Sequence, residues 1–167
     1  MSFFIQSEAI KNGKIADKYG KRSSEVLKDV PQISFPLTWG NYPPETKSFA
    51  IVFLDNDNIP EEGFSWVHWL VANIPVEVTS LEEDAGRQNK DLLQGKNTWA
   101  TQYDKLDDVC NRYGGPAPMV YDHEYEITIY ALSDMLNLKP GFYYNELLKE
   151  IRGKVLDEST IYGVYSA

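Results

Sequence analysis

Cysteine is almost absent from the sequence, and its scarcity excludes two kinds of site. The single cysteine, Cys110, has no second thiol with which to form an intrachain disulfide, and it lacks the paired spacing of a thiolate metal site. Asp107 and Asp108 lie just before Cys110, and negative neighbours disfavour the thiolate that a catalytic cysteine needs. We therefore expect Cys110 to be a structural residue.

Basic residues are also few, and this deficit excludes several partners. Lys and Arg number 16 against 25 Asp and Glu, for a formal net charge of −9 and a pI of about 4.7. Such a field repels nucleic acid and anionic lipid surfaces. No apolar run approaches the roughly 18 residues of a membrane span, and no secretory signal is recognisable. We expect a cytoplasmic protein that binds no nucleic acid and does not insert stably into membranes.

The residues that are present indicate a folded, strand-rich chain. Hydrophobic residues make up 43% of the sequence and aromatic residues 13%, proportions that disordered chains do not reach. Aromatic side chains favour strands. No repeat, low-complexity tract or linker divides the 167 residues, so we predict one domain over residues 1–167.

Turn residues and hydrophobic periodicity predict a hairpin and three further strands. Asn12-Gly13 favours a type I′ hairpin turn. Residues 49–54 form a continuous apolar run typical of a strand buried on both faces, and residues 67–73 form a second run. From His123 to Ile129, odd-numbered residues share one face for the core, and the other face is expected to meet water.

Helices are predicted only outside these runs. The long polar stretch 82–112 is expected to hold a helical turn or two, with 104–111 a weak candidate. Near the end, Leu147, Leu148, Ile151 and Val155 recur at helical spacing, with Asn145 as a candidate N-cap. A short strand over residues 161–165 is expected to follow.

Histidine is rare, and the two that occur are the first candidates for a binding site. His68 is expected to share its strand face with Leu70 and Ala72, and His123 begins the alternating strand. Either ring alone is readily explained as a core histidine with one hydrogen bond. If both strands lie in one sheet, two imidazoles converge at a strand end and present N–H donors to an anion.

Carboxylates and a glycine loop lie close to these strands. Asp55 ends the buried run and Asp57 follows it; they could orient a histidine or simply form a turn. Gly114-Gly115 precede Pro116 shortly before His123, where glycine permits close approach of backbone to a ligand. A plain structural turn is the alternative.

A family resemblance connects these features. In chain order, the segments that carry it are Pro36-Leu37-Thr38-Trp39, Pro43-Pro44-Glu45-Thr46-Lys47-Ser48-Phe49, Asp55-Asn56-Asp57, Trp66-Val67-His68-Trp69, Asn73-Ile74-Pro75, Tyr113-Gly114-Gly115-Pro116 and His123-Glu124-Tyr125. Together they resemble the phosphatidylethanolamine-binding, or Raf kinase inhibitor-like, family, and its bacterial branch most closely. Further similarity at Gly95, Asn97, residues 130–132 and residues 163–165 extends the resemblance over nearly the whole chain.

The resemblance implies a fold and a site. The implied fold is a mainly β sandwich of Greek-key type, with a few peripheral helices that include one near the C-terminus. The implied cavity takes phosphate-like groups, with the imidazoles and glycine-loop amides donating to the anion, Asp55 fixing a histidine and Tyr125 at the rim. Its residues here would be Asp55, Asp57, Trp66, His68, Gly115, Pro116, His123 and Tyr125.

The sequence departs from the family pattern at two places on the rim. The family's Asp-Pro-Asp-Ala-Pro segment is replaced by residues 55–60 with an extra residue and without the first proline, and residues 116–120 lack a second adjacent proline and the following glycine. Both changes bear on the size and identity of the ligand more than on the histidines.

The leading functional hypothesis is therefore a protein that binds a small anionic or phosphorylated ligand, such as a phospholipid headgroup, with no cofactor. The alternative is a metal-assisted hydrolase that uses His68, His123, Asp55 and Asp57, since two histidines with carboxylates are an acceptable zinc set. As some relatives regulate a kinase or another protein partner and bacterial relatives often pair, the resemblance also implies a regulatory partner or a homodimer.

Overall fold

Strands make up most of the regular structure in the computed structural model, which describes residues 1–167. The strands are β1 Phe4–Gln6, β2 Ile10–Lys11, β3 Lys14–Ile15, β4 Val26–Leu27, β5 Val30–Pro31, β6 Leu37–Gly40, β7 Ser48–Asp55, β8 Trp66–Pro75, β9 Ser80–Leu81, β10 Leu93–Gln94, β11 His123–Leu132 and β12 Val155–Tyr165. The helices are a 3₁₀ turn Asp17–Tyr19, α1 Ile59–Glu62, α2 Ala85–Gln88, α3 Ala100–Tyr103, α4 Asp107–Cys110 and α5 Tyr144–Glu150.

The strands form one large sheet and two small ones. The seven-stranded sheet has the order β10-β8-β7-β11-β12-β3-β2, and it is antiparallel except where β3 lies parallel to β12. A three-stranded sheet β1-β6-β9 contributes to the same main core as the large sheet, while β4 and β5 pair separately. The prediction of a mainly β sandwich with a few helices is confirmed.

The central strand β7 is buried on both faces, as its apolar run predicts. Phe49, Ile51 and Phe53 pack into the main core. Residues Ala50, Val52 and Leu54 point the other way, into a second cluster that contains Leu147 and Ile151 of the α5 region. The segment after β11 therefore covers the outer face of the large sheet, and every residue of β7 is buried.

Strand β11 follows its predicted alternation only in its first half. His123 and Tyr125 are buried and Glu124 is exposed, as predicted. Thr128 is buried on the face that was expected to meet water, because it pairs with β12, where Thr160 Oγ1 lies 2.8 Å from Thr128 Oγ1. The prediction of a solvated face is wrong at this position.

The turns near the ends of the chain both confirm and correct the sequence analysis. Asn12 and Gly13 have φ of 51° and 76°, the positive values that a type I′ turn requires, so the predicted hairpin is confirmed. Helix α5 begins after Tyr143 rather than at the predicted cap Asn145, and the Tyr143 N–H donates to the Glu146 carboxylate at 2.7 Å. The chain reverses at Gly153, whose φ is 73°.

Because the chain reverses at Gly153, Val155 lies in β12 instead of continuing α5. The prediction that Val155 belongs to the apolar face of this helix is therefore wrong. Strand β12 is also longer than the predicted strand over residues 161–165, and it pairs with β11 from end to end. Within the polar stretch 82–112 the structure has three one-turn helices, and α4 confirms the turn predicted within 104–111. No helix of the protein combines the length and apolar character that crossing a bilayer requires.

Candidate functional site

Strand pairing brings the predicted site residues to one end of the large sheet. Asp55 is the last residue of β7, and it lies opposite Tyr125 of β11 on one side and Trp66 of β8 on the other. Because both neighbours run antiparallel to β7, the beginnings of β8 and β11 meet the end of β7. His68 and His123 lie at these beginnings, so the two histidines reach the same edge.

A β-bulge in β8 determines where His68 points. Phe53 pairs with Trp69 and Leu54 pairs with Val67, so His68 is the extra residue between two pairs. Its ring lies 5.0 Å from the Phe53 ring on the main-core side, whereas Leu70 packs in the second cluster. The prediction that His68 shares a face with Leu70 and Ala72 is wrong because the bulge breaks the two-residue period.

These side chains line a cavity of about 150 Å³. This volume suits a small chemical group and is below the size of pockets that enclose drug-sized ligands. Five of the eight predicted residues line it, namely Asp55, Trp66, His68, His123 and Tyr125. The remaining lining residues are Asn58, Glu61, Glu62, Trp99, Ala117, Pro118 and Met119.

The other three predicted residues support the site from outside the cavity. The Asp57 carboxylate accepts from the Glu124 N–H at 2.8 Å, which fastens the loop after β7 to β11. Pro116 uses its carbonyl oxygen to accept from the Lys21 N–H at 2.7 Å. Gly115 lies against the Tyr19 carbonyl, where a Cβ would be only 2.1 Å from the oxygen.

The glycine-loop amides do not donate to a ligand, which corrects a role implied by the resemblance. The Gly114 N–H donates to the His68 carbonyl at 2.9 Å, and the Gly115 N–H donates to the Pro31 carbonyl at 3.0 Å. Both donors are already used within the fold, so the glycines allow close packing rather than ligand binding.

Asp55 contacts two other parts of the site through its two carboxylate oxygens. Oδ2 lies 2.7 Å from His123 Nδ1, and Oδ1 accepts from the Asn58 N–H at 3.1 Å. An ionised carboxylate only accepts hydrogen bonds, so Nδ1 of His123 carries the hydrogen and Nε2 faces the cavity. The same carboxylate therefore orients the ring and holds the start of α1.

His68 is held in one tautomer by the backbone. Its Nδ1 lies 2.6 Å from the Gly114 carbonyl oxygen, which can only accept, so Nδ1 is the protonated nitrogen. Burial lowers the pKa of His68 to about 4, although Asp55 and the Gly114 carbonyl act in the opposite direction. In the neutral ring Nε2 therefore presents a lone pair to the cavity, whereas the anion-binding role predicted for His68 would use an N–H there.

Four buried polar atoms of the cavity have no hydrogen-bond partner within the protein. They are Trp66 Nε1, His68 Nε2, His123 Nε2 and the Tyr125 hydroxyl oxygen. Buried polar atoms are nearly always paired with protein, water or a ligand, so these four are the atoms of the cavity that are available to a bound group. Burial, with the nearby Asp55 charge, raises the pKa of Tyr125 well above its usual range, so its hydroxyl keeps a hydrogen to donate.

The charges at the cavity are negative. Asp55, Glu61 and Glu62 line it, and no Lys or Arg does. Partial burial, followed by the charges of Glu61, Asp57 and Asp55, raises the pKa of Tyr121, whose ring lies 4.7 Å from the His123 ring. A ligand with two negative charges is therefore poorly suited to the mouth of this cavity.

Four of the remaining lining residues lie in the two segments that the sequence analysis placed on the rim, namely Asn58, Ala117, Pro118 and Met119. Residue patterns did not indicate the other three, Glu61, Glu62 and Trp99. Glu61 and Glu62 lie in α1, directly after the segment in which the sequence departs from the family pattern, and this departure was the only signal for them. Trp99 comes from the polar stretch 82–112, and its ring lies 5.3 Å from the His68 ring.

The residues named for a metal-assisted hydrolase do not form a metal cluster. No group of three or more His, Cys, Asp or Glu side chains is arranged to hold a metal ion. Asp57 is bonded to β11 outside the cavity, and His68 directs Nδ1 to a carbonyl. The geometry gives this alternative no support.

Comparison with known proteins identifies related sequences. Residues 6–166 match the sequence profile of the family described as phosphatidylethanolamine-binding protein. The chain is similar to YxkA of Bacillus subtilis, with 42% identity over 166 residues that cover 96% of each chain. It is also similar to a UPF0098 protein of Methanothermobacter thermautotrophicus, with 36% identity over 149 residues that cover 87% of this chain and 91% of the other.

Solved structures show the same fold. A phosphatidylethanolamine-binding protein homologue from Chlamydia trachomatis, CT736, superposes with a TM-score of 0.82 at 27% identity, covering 99% of this chain and 98% of the other. YbcL of Escherichia coli, described as a member of the mammalian PEBP family, superposes with a TM-score of 0.79 at 26% identity, covering 100% and 99%.

Proposed function

The chain belongs to the phosphatidylethanolamine-binding protein family, and from this premise we propose that it binds a small, singly charged oxyanion that still carries an acidic hydrogen. Inorganic phosphate as the monoanion and singly protonated phosphate monoesters, including phosphorylated headgroups, have this chemistry. The site is the cavity lined by Asp55, Trp66, His68, His123 and Tyr125.

The observation that carries this proposal is the pattern of donors and acceptors among the four unpartnered atoms. Trp66 Nε1 and the Tyr125 hydroxyl offer hydrogens, and so does His123 Nε2 in the imidazolium form of the ring, because Nδ1 already donates to Asp55. His68 Nε2 offers a lone pair at neutral pH, because Nδ1 holds the ring hydrogen. A phosphate monoanion, or a phosphate monoester with one hydrogen, matches both kinds of atom, since its oxygens accept and a hydroxyl donates to His68.

The small volume and few donors support a weak, headgroup-sized interaction. About 150 Å³ accommodates the anionic group of a ligand, and the rest of a larger ligand would extend through the mouth beside α1. We expect dissociation constants roughly in the millimolar to micromolar range, since few contacts offset the entropy lost on binding.

Phosphate and sulfate test the proposal because the two anions have the same tetrahedral shape. Near pH 5.5, phosphate is largely the hydrogen-bearing monoanion, whereas sulfate has no hydrogen to donate. Sulfate would leave the buried His68 lone pair against an anionic oxygen, so isothermal titration should show phosphate binding at least about tenfold more tightly.

Equal affinities for the two anions would contradict the hydrogen-donor requirement. No measurable binding of phosphate, methyl phosphate or phosphoethanolamine would contradict the proposed function as a whole. Regulation of a kinase or of another protein partner, and pairing of two copies, stay predictions from the family resemblance. A pull-down with and without phosphate, and light scattering after size-exclusion chromatography, would test them.

A further inference from the structure

Glu61 is the charged side chain that comes nearest to the unpartnered nitrogen of His123. Its Oε1 lies 3.5 Å from His123 Nε2, and about a quarter of the Glu61 side chain is exposed. His123 Nδ1 already donates to Asp55, so in the imidazolium form of the ring the Nε2–H is the donor that remains for a bound anion. The Glu61 carboxylate thus lies where an oxygen of that anion would bind.

The protein holds Glu61 in this position through the turn that contains it. The Asn58 N–H donates to Asp55 Oδ1 at 3.1 Å, and the Asn58 side-chain amide donates to the Phe64 carbonyl at 2.9 Å. Gly63, in the left-handed region at φ 87°, ends the helix by donating to the Ile59 carbonyl at 2.8 Å. Helix α1 is therefore fixed at both ends over the cavity.

We propose that Glu61 is a specificity-determining residue that competes with the ligand for His123 and selects against doubly charged oxyanions. The proposal rests on the proposed function and adds the charge selection of the same site. To bind, an anion must displace the Glu61 carboxylate from His123 and then remain beside it. The repulsion scales with the charge of the ligand, so a dianion experiences twice the repulsion of a monoanion.

Because the repulsion scales with ligand charge, removing the Glu61 charge should raise the affinity for a dianion more than the affinity for a monoanion. A general structural change would not produce this difference. Glu61→Gln keeps the shape of the side chain and removes its charge. Since the side chain is partly exposed, solvent reduces the interaction, and we expect about fivefold tighter phosphate binding near pH 5.5. Sulfate, with twice the charge, should gain about twenty-five-fold, so the preference for phosphate should shrink.

Two further variants complete the experiment. Glu61→Ala also empties the position beside His123 and should raise both affinities at least as much as Glu61→Gln. Glu45→Gln is the matched control, since Glu45 is an exposed carboxylate that precedes β7, at the opposite end of that strand from Asp55, and does not line the cavity; it should change both affinities less than twofold.

The outcomes separate this proposal from the proposed function. If wild-type protein binds phosphate and His123→Ala weakens that binding, but Glu61→Gln leaves it unchanged or weaker, the role of Glu61 is overturned and the binding function stands. Equal gains for phosphate and sulfate, or an effect of Glu45→Gln equal to that of Glu61→Gln, would also overturn it. If neither the wild type nor any variant binds phosphate, both proposals fail.

Discussion

Replacing His123 with alanine should weaken phosphate binding several-hundredfold, to the limit of detection by isothermal titration. A hydrogen bond that involves a charged group contributes about 1.5–3 kcal/mol, and this variant removes the one offered by His123 Nε2. It also leaves Asp55, which is 4% exposed, without the ring that lies 2.7 Å from its carboxylate. The bare carboxylate then repels the anion in a poorly solvated cavity, which enlarges the loss.

Two other variants keep this prediction testable if His123→Ala folds poorly. His123→Gln retains a side-chain amide that can donate, so it should lose less affinity than alanine. Trp66→Phe removes only the Nε1–H and should weaken phosphate binding about tenfold or less. Unfolding in urea reports whether each variant is folded. Wild-type affinity in a folded His123→Ala protein would exclude His123 from the site.

The Gly115→Ala variant should lower the free energy of unfolding by about 3 kcal/mol or more. The added Cβ would lie 2.1 Å from the Tyr19 carbonyl oxygen and 2.9 Å from Pro31 Cβ, and a backbone oxygen cannot move aside as a flexible side chain can. That oxygen also accepts from the Tyr113 hydroxyl at 2.7 Å, so a shift disturbs a second buried group. Overpacking of this kind costs about 1–3 kcal/mol, occasionally more.

Gly153→Ala is the matched control for this effect. Gly153 has a φ of 73° but no atom within 4 Å of an added Cβ, so alanine there should cost only about 1 kcal/mol of backbone strain. Urea denaturation of both variants gives the comparison. If Gly115→Ala were as stable as Gly153→Ala, the role of Gly115 in closing the loop on Tyr19 would be wrong.

The strands of the large sheet could be predicted because their patterns follow directly from burial. A continuous apolar run in β7 required cover on both faces, and the structure provides the main core on one side and the α5 region on the other. Asn12-Gly13 specified its turn locally through backbone conformation. These features depend on neighbouring residues, so a single sequence contains the information.

The details of the site depend on contacts between distant segments, which no local pattern encodes. The bulge that turns His68 toward Tyr125 adds one residue between two strand pairs, and the two-residue period cannot reveal it. The position of Glu61 depends on the bond between Asn58 and Asp55 across the mouth. Gly115 is a further example. It must be glycine because it lies against the Tyr19 carbonyl, and since Tyr19 is far away along the chain, the local sequence suggested a role in ligand binding instead.

The most direct test of the central claim is a long-range ¹H–¹⁵N spectrum of the histidine rings during a phosphate titration. With two histidines in the chain, His123→Gln assigns both rings. We expect free His68 to be neutral at pH near 7 with its hydrogen on Nδ1, and to titrate with a pKa of about 4. Phosphate should shift Nε2 of both rings with one dissociation constant. If His68 carried its hydrogen on Nε2, or if neither ring responded to saturating phosphate, the account of this cavity would be contradicted.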